Sequence, residues 1–331
     1  MFTFIYCFDK NYNIPAVVSI SSLLEKVNEK INIVIVHNER ETFYEYEKFF
    51  KGHQNLHNFE LKTIETSELS FPNTNNKHIS EATYYRMYLD KIDFSYQFTK
   101  CVYLDSDIIC INNPITYFEN IYSKLENQNI PLAARTEHIK LGNLEKDHEF
   151  FERNNLSSVN YFNAGVLVFN FQEWLSKDYF KLLRDLQENY SGTLKYWDQD
   201  LLNILINGNY IEMNNFSNFH LGADWNFPWP VIDELALFIH YQGKAKPWEI
   251  SCIYDSSSKF FQNTYRKIFN NKIYLRKSYF TRDIIGLRNL LFLLKIRKTE
   301  FPFTVLKESI KIIISYFGYK ISKLIKRKNY I

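Results

Sequence analysis

The sequence predicts an α/β protein, with a doubly wound, mostly parallel sheet between flanking helices and a small basic helical extension at the C-terminus. Three observations carry this. Short apolar runs alternate with amphipathic stretches through residues 1–250. One run, Cys101-Val102-Tyr103-Leu104, leads straight into Asp105-Ser106-Asp107. Beyond residue 250 the alternation stops and Lys and Arg accumulate.

Taken in order, residues 1–8 predict a strand and 14–27 an amphipathic helix. Ile31 to His37 is a second apolar strand, followed by a helical stretch over 41–51 and a strand near Phe59–Thr63. Residues 80–90 predict a helix with Ser80 as its N-cap. The strand ahead of Asp105 follows, then one over Pro131–Arg135 and a clear one over Val166–Asn170, with a helix starting near Phe171. Asp198 to Asn207 predicts a helix, residues 223–230 an aromatic loop, and Ala236 to His240 a last short strand. From Phe303 on, Leu306, Ile310, Ile313, Phe317, Ile321 and Leu324 recur at steps of three or four among lysines, the pattern of a basic amphipathic helix. This divides the chain into an alternating α/β region, 1–250, and a basic region, 251–331.

Composition narrows the classes. A chain of 331 residues, 46% hydrophobic, can bury one large core or two smaller ones. The 29 Phe and 24 Tyr beside only 9 Gly match AT-rich codon usage, which favours Phe, Tyr, Asn, Ile and Lys together. Cys7, Cys101, Cys110 and Cys252 form no Cys-x-x-Cys pair, as expected of thiols in a reducing compartment. No signal peptide or membrane-spanning stretch is expected. Residues 271–331 carry 15 Lys and Arg against Asp283, Glu300 and Glu308, a net +12, which leaves −9 on residues 1–270. Two readings of that basic tail stay open, docking on an anionic membrane or packing on the α/β region. A nucleic-acid partner is not expected, because no recognition motif accompanies the charge.

In an extended segment Asp105 and Asp107 point to one side, at the carboxyl end of a buried strand where open α/β sheets bind ligands. Two carboxylates there repel unless a cation lies between them, and a divalent metal on a nucleotide diphosphate would satisfy them. Asp-x-Asp after a strand is also common in turns and helix caps. Four further segments accompany it. They are Asp9-Lys10-Asn11-Tyr12 at the end of the first strand, His78 to Arg86, Tyr161 to Val166 with Asp198-Gln199-Asp200 further on, and His240 to Trp248. Each also has a plain structural reading: Arg86 in a surface ion pair, Asn163-Ala164-Gly165 as a turn, Asp198 and Asp200 as helix N-terminal acids, Lys246 as a solvated loop charge. Trp225, Trp229 and Trp248 suit the core or acceptor stacking equally.

With these motifs in this order, residues 1–250 resemble glycosyltransferase family 8, and in particular its bacterial lipopolysaccharide galactosyl- and glucosyltransferases. The resemblance implies a GT-A fold and Mn²⁺-dependent (Mg²⁺ as alternative) transfer from UDP-galactose or UDP-glucose with retention. It implies that Asp105, Asp107 and His240 bind the metal. Asp9, Asn11, Ser106, Gly243 and Lys246 would bind the nucleotide. Arg86, Asn163, Asp198 and Gln199 would line the donor-sugar pocket, Gln199 and Asp198 nearest the chemistry. Glu137 stands where the family usually has Asp. His78 and Asp200 are further candidates. The implied acceptor is a lipid-linked oligosaccharide, with the protein peripheral on the inner face of the cytoplasmic membrane. The alternatives are a protein, capsular or cell-wall glycan acceptor, or a non-catalytic sugar-nucleotide or glycan-binding module.

Overall fold

The computed structural model describes residues 1–65, 81–95, 98–137, 144–157, 160–221, 227–243, 246–249, 252, 256–270, 273–276 and seven helical positions between 303 and 317. The chain falls into two compact units, Met1–His240 and Tyr241–Ile331.

The first unit is built on a seven-stranded sheet. In chain order its strands are β1 (Thr3–Cys7), β2 (Ile31–His37), β3 (Leu56–Thr63), β4 (Lys100–Leu104), β6 (Leu132–Thr136), β7 (Phe162–Asn170) and β8 (Ile211–Met213). They lie in the order β3-β2-β1-β4-β7-β6-β8. Neighbours are parallel except β7, which runs antiparallel to both β4 and β6. β1, β2, β6 and β7 are buried throughout, which is why they read as continuous apolar runs. Successive side chains alternate between two cores. Ile5, Cys7, Val34, Val36, Tyr103, Leu167 and Phe169 face one, filled by Tyr84, Tyr85, Met87, Trp174, Phe180, Leu183 and Leu201. On the other side Phe2 and Phe4 meet Phe118 of α2 (Ile115–Gln128), and α1 (Asn13–Lys26) is buried along most of its length.

A second, three-stranded sheet joins β5 (Ile108–Cys110), β10 (Phe238–His240) and β9 (Phe219–His220) in the order β5-β10-β9. Its strands have two or three residues each, too short for a periodic signal. It is held against α1 by Ser22, whose Oγ accepts from Cys110 N at 2.9 Å, and against α2 by the stacked rings of Phe118 and Phe238, 5.9 Å apart.

Four expectations change. Residues Glu81–Lys91 are 3₁₀ rather than α-helical, with a break at Tyr88 (φ −118°, ψ 18°), and Ser80 lies outside the described residues. The stretch over 41–51 is likewise 3₁₀, in two pieces, Arg40–Thr42 and Tyr44–Phe49. β7 begins at Phe162, so Asn163, Ala164 and Gly165 are strand and not a turn. Trp229 and Pro230 open α7 (Trp229–Leu235) instead of ending a loop, Pro taking the first turn where its missing N–H costs nothing. The remaining helices of this unit are α3 (Leu144–Arg153), α4 (Phe171–Ser176), α5 (Tyr179–Asn189) and α6 (Asp198–Ile206).

In the second unit, α8 (Ser258–Ile268) packs Phe261 on Trp248, with centroids 4.9 Å apart. Gln262 is fully buried and donates to the carbonyls of Pro247 and Tyr274, while its Oε1 accepts from Tyr274 N. Trp248 is thus a core residue of this unit, and Trp225 lies outside the described residues. Gly243 has φ +66°, a region that favours glycine, and Lys246 Nζ donates to Tyr241 O at 2.7 Å.

Candidate active site

The antiparallel β7 builds the site. Because it runs against β4, its first residues lie beside the last residues of β4, and Asp105 N donates to Gly165 O at 2.9 Å. Because it also runs against β6, Phe162 pairs with Thr136 and Glu137 N donates to Tyr161 O at 2.7 Å. Three segments distant in sequence therefore meet at one edge.

Asp105, Asp107 and His240 converge there, with one ligand atom from each lying within 4.8 Å of the others. His240 Nε2 is 3.3 Å from Asp107 Oδ1 and 3.8 Å from Asp105 Oδ2. The pair does not meet as i and i+2 of a straight strand. The chain turns at Ser106–Asp107 between β4 and β5, and β10 brings His240 to them through its antiparallel pairing with β5, His240 against Ile108. Two carboxylates and one imidazole form an O,O,N set that suits a divalent cation. Ser106 is buried, and its Oγ has no hydrogen-bond partner among the described residues.

Behind this cluster Arg86 is buried between Asp198 and Asp105. Its Nε lies 2.7 Å from Asp198 Oδ2 and its Nη2 3.4 Å from Asp105 Oδ1. Nη1 donates to Ala164 O, and the guanidinium lies 4.1 Å from the centre of the Tyr103 ring. Burial works against the charge on Arg86, but Asp198, Tyr103 and Asp105 outweigh it and hold the group firmly protonated. Asp198 also accepts from Thr83 Oγ1 at 2.5 Å. Burial pushes its carboxyl up to about 6, against the opposing pull of Arg86 and Thr83.

The third part is a row of amides. Asn163 Nδ2 donates to Glu137 Oε1 at 2.8 Å and to Gln199 Oε1 at 3.2 Å. Gln199 Oε1 also accepts from Ala164 N at 3.0 Å, and its Nε2 donates to Tyr161 Oη at 3.2 Å. Tyr161 in turn donates to Asp200 Oδ1 at 2.6 Å. Asp200 accepts from Lys195 N and Tyr196 N as well, so it organises the turn ahead of α6. In that turn Trp197 has φ +51° and ψ −118°, costly for a residue with a side chain, directly before Asp198 and Gln199.

Asp105, Asp107, His240, Arg86, Asp198, Asn163, Gln199 and Glu137 are thus brought together. Asp9 lies after β1 and caps the 3₁₀ turn Lys10–Tyr12, its Oδ1 accepting from Asn11 N at 2.8 Å. Gly243 and Lys246 belong to the second unit, and His78 lies outside the described residues. Sequence reasoning marked the segments that hold Thr83 and Tyr161 without giving either a role, and missed Asn218. Asn218 is fully buried, with Oδ1 3.0 Å from His240 Nδ1 and Nδ2 2.8 Å from Asn163 Oδ1. It stands in an Asn-rich stretch, Asn214 to Asn218, where nothing in the spacing marks one amide out.

Comparison with known proteins agrees with this architecture. A lipopolysaccharide 1,2-glucosyltransferase of Escherichia coli is 27% identical over 280 residues, 78% of this chain and 76% of that protein. The lipopolysaccharide 1,3-galactosyltransferase of Salmonella typhimurium is 26% identical over 278 residues, 79% and 77% of the two chains. The crystal structure of the galactosyltransferase LgtC in complex with donor and acceptor sugar analogs superposes with a TM-score of 0.65 at 22% identity, over 82% of this chain and 97% of that one. That likeness is one of fold, and the fold is GT-A. Residues 3–252, well over half of the chain, match the family model for glycosyl transferase family 8, and the chain belongs to that family.

Proposed function

We propose that this protein is a retaining hexosyltransferase that moves galactose or glucose from a UDP-sugar onto a lipid-linked oligosaccharide, with Mn²⁺ held by Asp105, Asp107 and His240. The observation that carries the reading is the convergence of those three side chains within 4.8 Å, beside the buried Arg86–Asp198 pair and the amides of Asn163 and Gln199. The names of the Escherichia coli and Salmonella typhimurium relatives support the choice of sugar and acceptor. The metal would supply positive charge to the leaving diphosphate as the glycosidic bond breaks.

The chain's own groups would bind and orient the sugar. Glu137 offers a carboxylate beside the first residues of β7, suited to sugar hydroxyls, and Asn163 Nδ2 orients it. Retention by a same-face route fits Gln199 and Asp198. The Gln199 carbonyl oxygen already accepts from Ala164 N and Asn163 Nδ2, and Asp198 is paired with Arg86 and Thr83. Oxygens so engaged are poor nucleophiles but good sources of fixed negative potential for an oxocarbenium-like centre. A covalent sugar adduct trapped on Gln199, Asp198 or Asp200 would overturn the same-face route.

The second part of the proposal concerns the tail. Phe303, Leu306, Ile310, Ile314 and Phe317 are exposed along one helical stripe, Phe303 by 86%, in a region of net +12. An apolar stripe among lysines suits the surface of an anionic bilayer, where a lipid-linked acceptor resides, and would make the protein peripheral on the cytoplasmic face. The full chain should sediment with anionic vesicles, and the triple variant Phe303→Asp, Ile314→Asp, Phe317→Asp should not. Equal sedimentation of both would sink this part.

The central test is UDP release from a panel of UDP-sugars, with Mn²⁺ and with chelator, beside Asp107→Asn. Release from UDP-galactose or UDP-glucose alone, lost with chelator and in the variant, supports the reading. Metal-independent release, or none even with candidate glycan acceptors added, defeats it.

A further inference from the structure

We infer that Asn218 is a positioning residue that fixes the tautomer of His240 and couples the metal cluster to the donor-sugar pocket. The inference rests on the metal reading given above.

A backbone N–H can only donate. Gly165 N donates to the side-chain atom of Asn163 at 2.9 Å, so that atom is the amide oxygen. The other end of Asn163 is then its NH₂, which agrees with its two acceptors, Glu137 Oε1 and Gln199 Oε1. Gln199 Oε1 is itself fixed as an oxygen by Ala164 N. With Asn163 Oδ1 assigned, Asn218 must turn its NH₂ toward it, at 2.8 Å, and its oxygen toward His240 Nδ1, at 3.0 Å. Nδ1 therefore carries a hydrogen, and in the neutral ring the lone pair is then on Nε2. Nε2 is the atom that faces Asp105 and Asp107. A metal-binding imidazole needs this tautomer, and a partner on its second nitrogen both fixes the ring and strengthens it as a ligand.

Asn218 is rigid enough for the task. It closes the 3₁₀ turn Asn215–Asn218, capped by Asn214, whose Oδ1 accepts from Ser217 N. Its own carbonyl accepts from the fully buried Arg135 at 2.6 Å. It leads directly into β9, whose His220 lies opposite His240 in the parallel pairing with β10. The amide chain Glu137–Asn163–Asn218–His240 thus joins the sugar side to the metal side.

Two substitutions separate positioning from packing. Asn218→Leu keeps the volume and removes both hydrogen bonds. Asn218→Asp keeps an acceptor for Nδ1–H but sets oxygen against Asn163 Oδ1. Binding of Mn²⁺ alone, without nucleotide, is followed by the electron-spin-resonance signal of the free ion, and thermal unfolding checks the fold. Asn218→Leu should weaken Mn²⁺ by about 10- to 100-fold. Asn218→Asp should bind Mn²⁺ at least as tightly as the native chain while its KM for the donor rises. A folded Asn218→Leu with native Mn²⁺ affinity overturns the inference. So does an Asn218→Asp that has lost the metal, and this variant decides alone if the Leu protein does not fold. Asp107→Asn run alongside keeps the two levels apart. If it also binds Mn²⁺ normally, the metal reading fails and this inference with it. If it loses Mn²⁺ while Asn218→Leu keeps it, only the role of Asn218 falls.

Discussion

A side chain at residue 165 and the ring of His240 would compete for the same space. A β-carbon on Gly165 would fall against Cε1 of His240, 2.8 Å from its Nδ1 and 3.0 Å from Asn163 Oδ1. Glycine is required here for room, with the imidazole lying where a side chain would otherwise stand. Gly165→Ala should push His240 off Asp105 and Asp107, lowering Mn²⁺ affinity by tenfold or more, at a stability cost of about 1–3 kcal/mol from overpacking. A metal titration and a urea melt measure both, and an alanine variant with native metal affinity contradicts the prediction.

Asp198 predicts the sign of a pH effect. Its folded carboxyl titrates at about 6 against an ordinary 3.8, burial being the main cause. Between those values the folded chain keeps a proton that the unfolded chain has released, so this group's contribution to stability declines as pH rises through that window. One such group gives a slope of at most about 1.4 kcal/mol per pH unit. Urea unfolding of metal-free protein between pH 4.5 and 6 should show this downward component, and Asp198→Asn should remove it. An unchanged slope in the variant refutes the assignment.

Tyr161→Phe removes the donor to Asp200 Oδ1 and the acceptor for Gln199 Nε2 together. Asp200 keeps its bonds from Lys195 N and Tyr196 N. We expect a loss of about 1–3 kcal/mol in stability, a lower transfer rate as Gln199 loosens, and unchanged Mn²⁺ affinity. Metal titration beside steady-state kinetics tests the split.

Arg184 of α5 supports the site from a distance. It grips Asp90 with two bonds, at 2.6 and 2.8 Å, and the carbonyl of Met87 at 2.9 Å, pinning the 3₁₀ segment that carries Arg86. Arg184→Met should cost about 1.5–3 kcal/mol, the usual scale for hydrogen bonds to charged groups. An unshifted denaturant midpoint would show the clamp to be dispensable.

The parallel half of the sheet was legible because strands buried on both faces print continuous apolar runs, as Ile31–His37 does. The short apolar run ending at His240 was legible as a strand and is β10, but its antiparallel pairing with β5, which delivers His240 to the carboxylates, joins segments far apart in sequence and stayed hidden. Asp105 and Asp107 stood out as a pair, but their meeting through a turn depends on β10, which is distant in sequence. Asn163-Ala164-Gly165 was ambiguous between turn and strand because its small polar residues suit both. An amide such as Asn218 takes its role wholly from its partners, and spacing alone cannot single it out.

His240 closes the last strand of its unit, while Asp105 and Asp107 follow the fourth. A ribosome has therefore made both carboxylates long before the imidazole exists, and a chain stopped short of β10 holds an acidic pair with no third ligand. The cluster is complete only in a chain that has been made past His240 and has paired β10 with β5, so the site doubles as a record of assembly, absent from every form that lacks that strand or has not paired it.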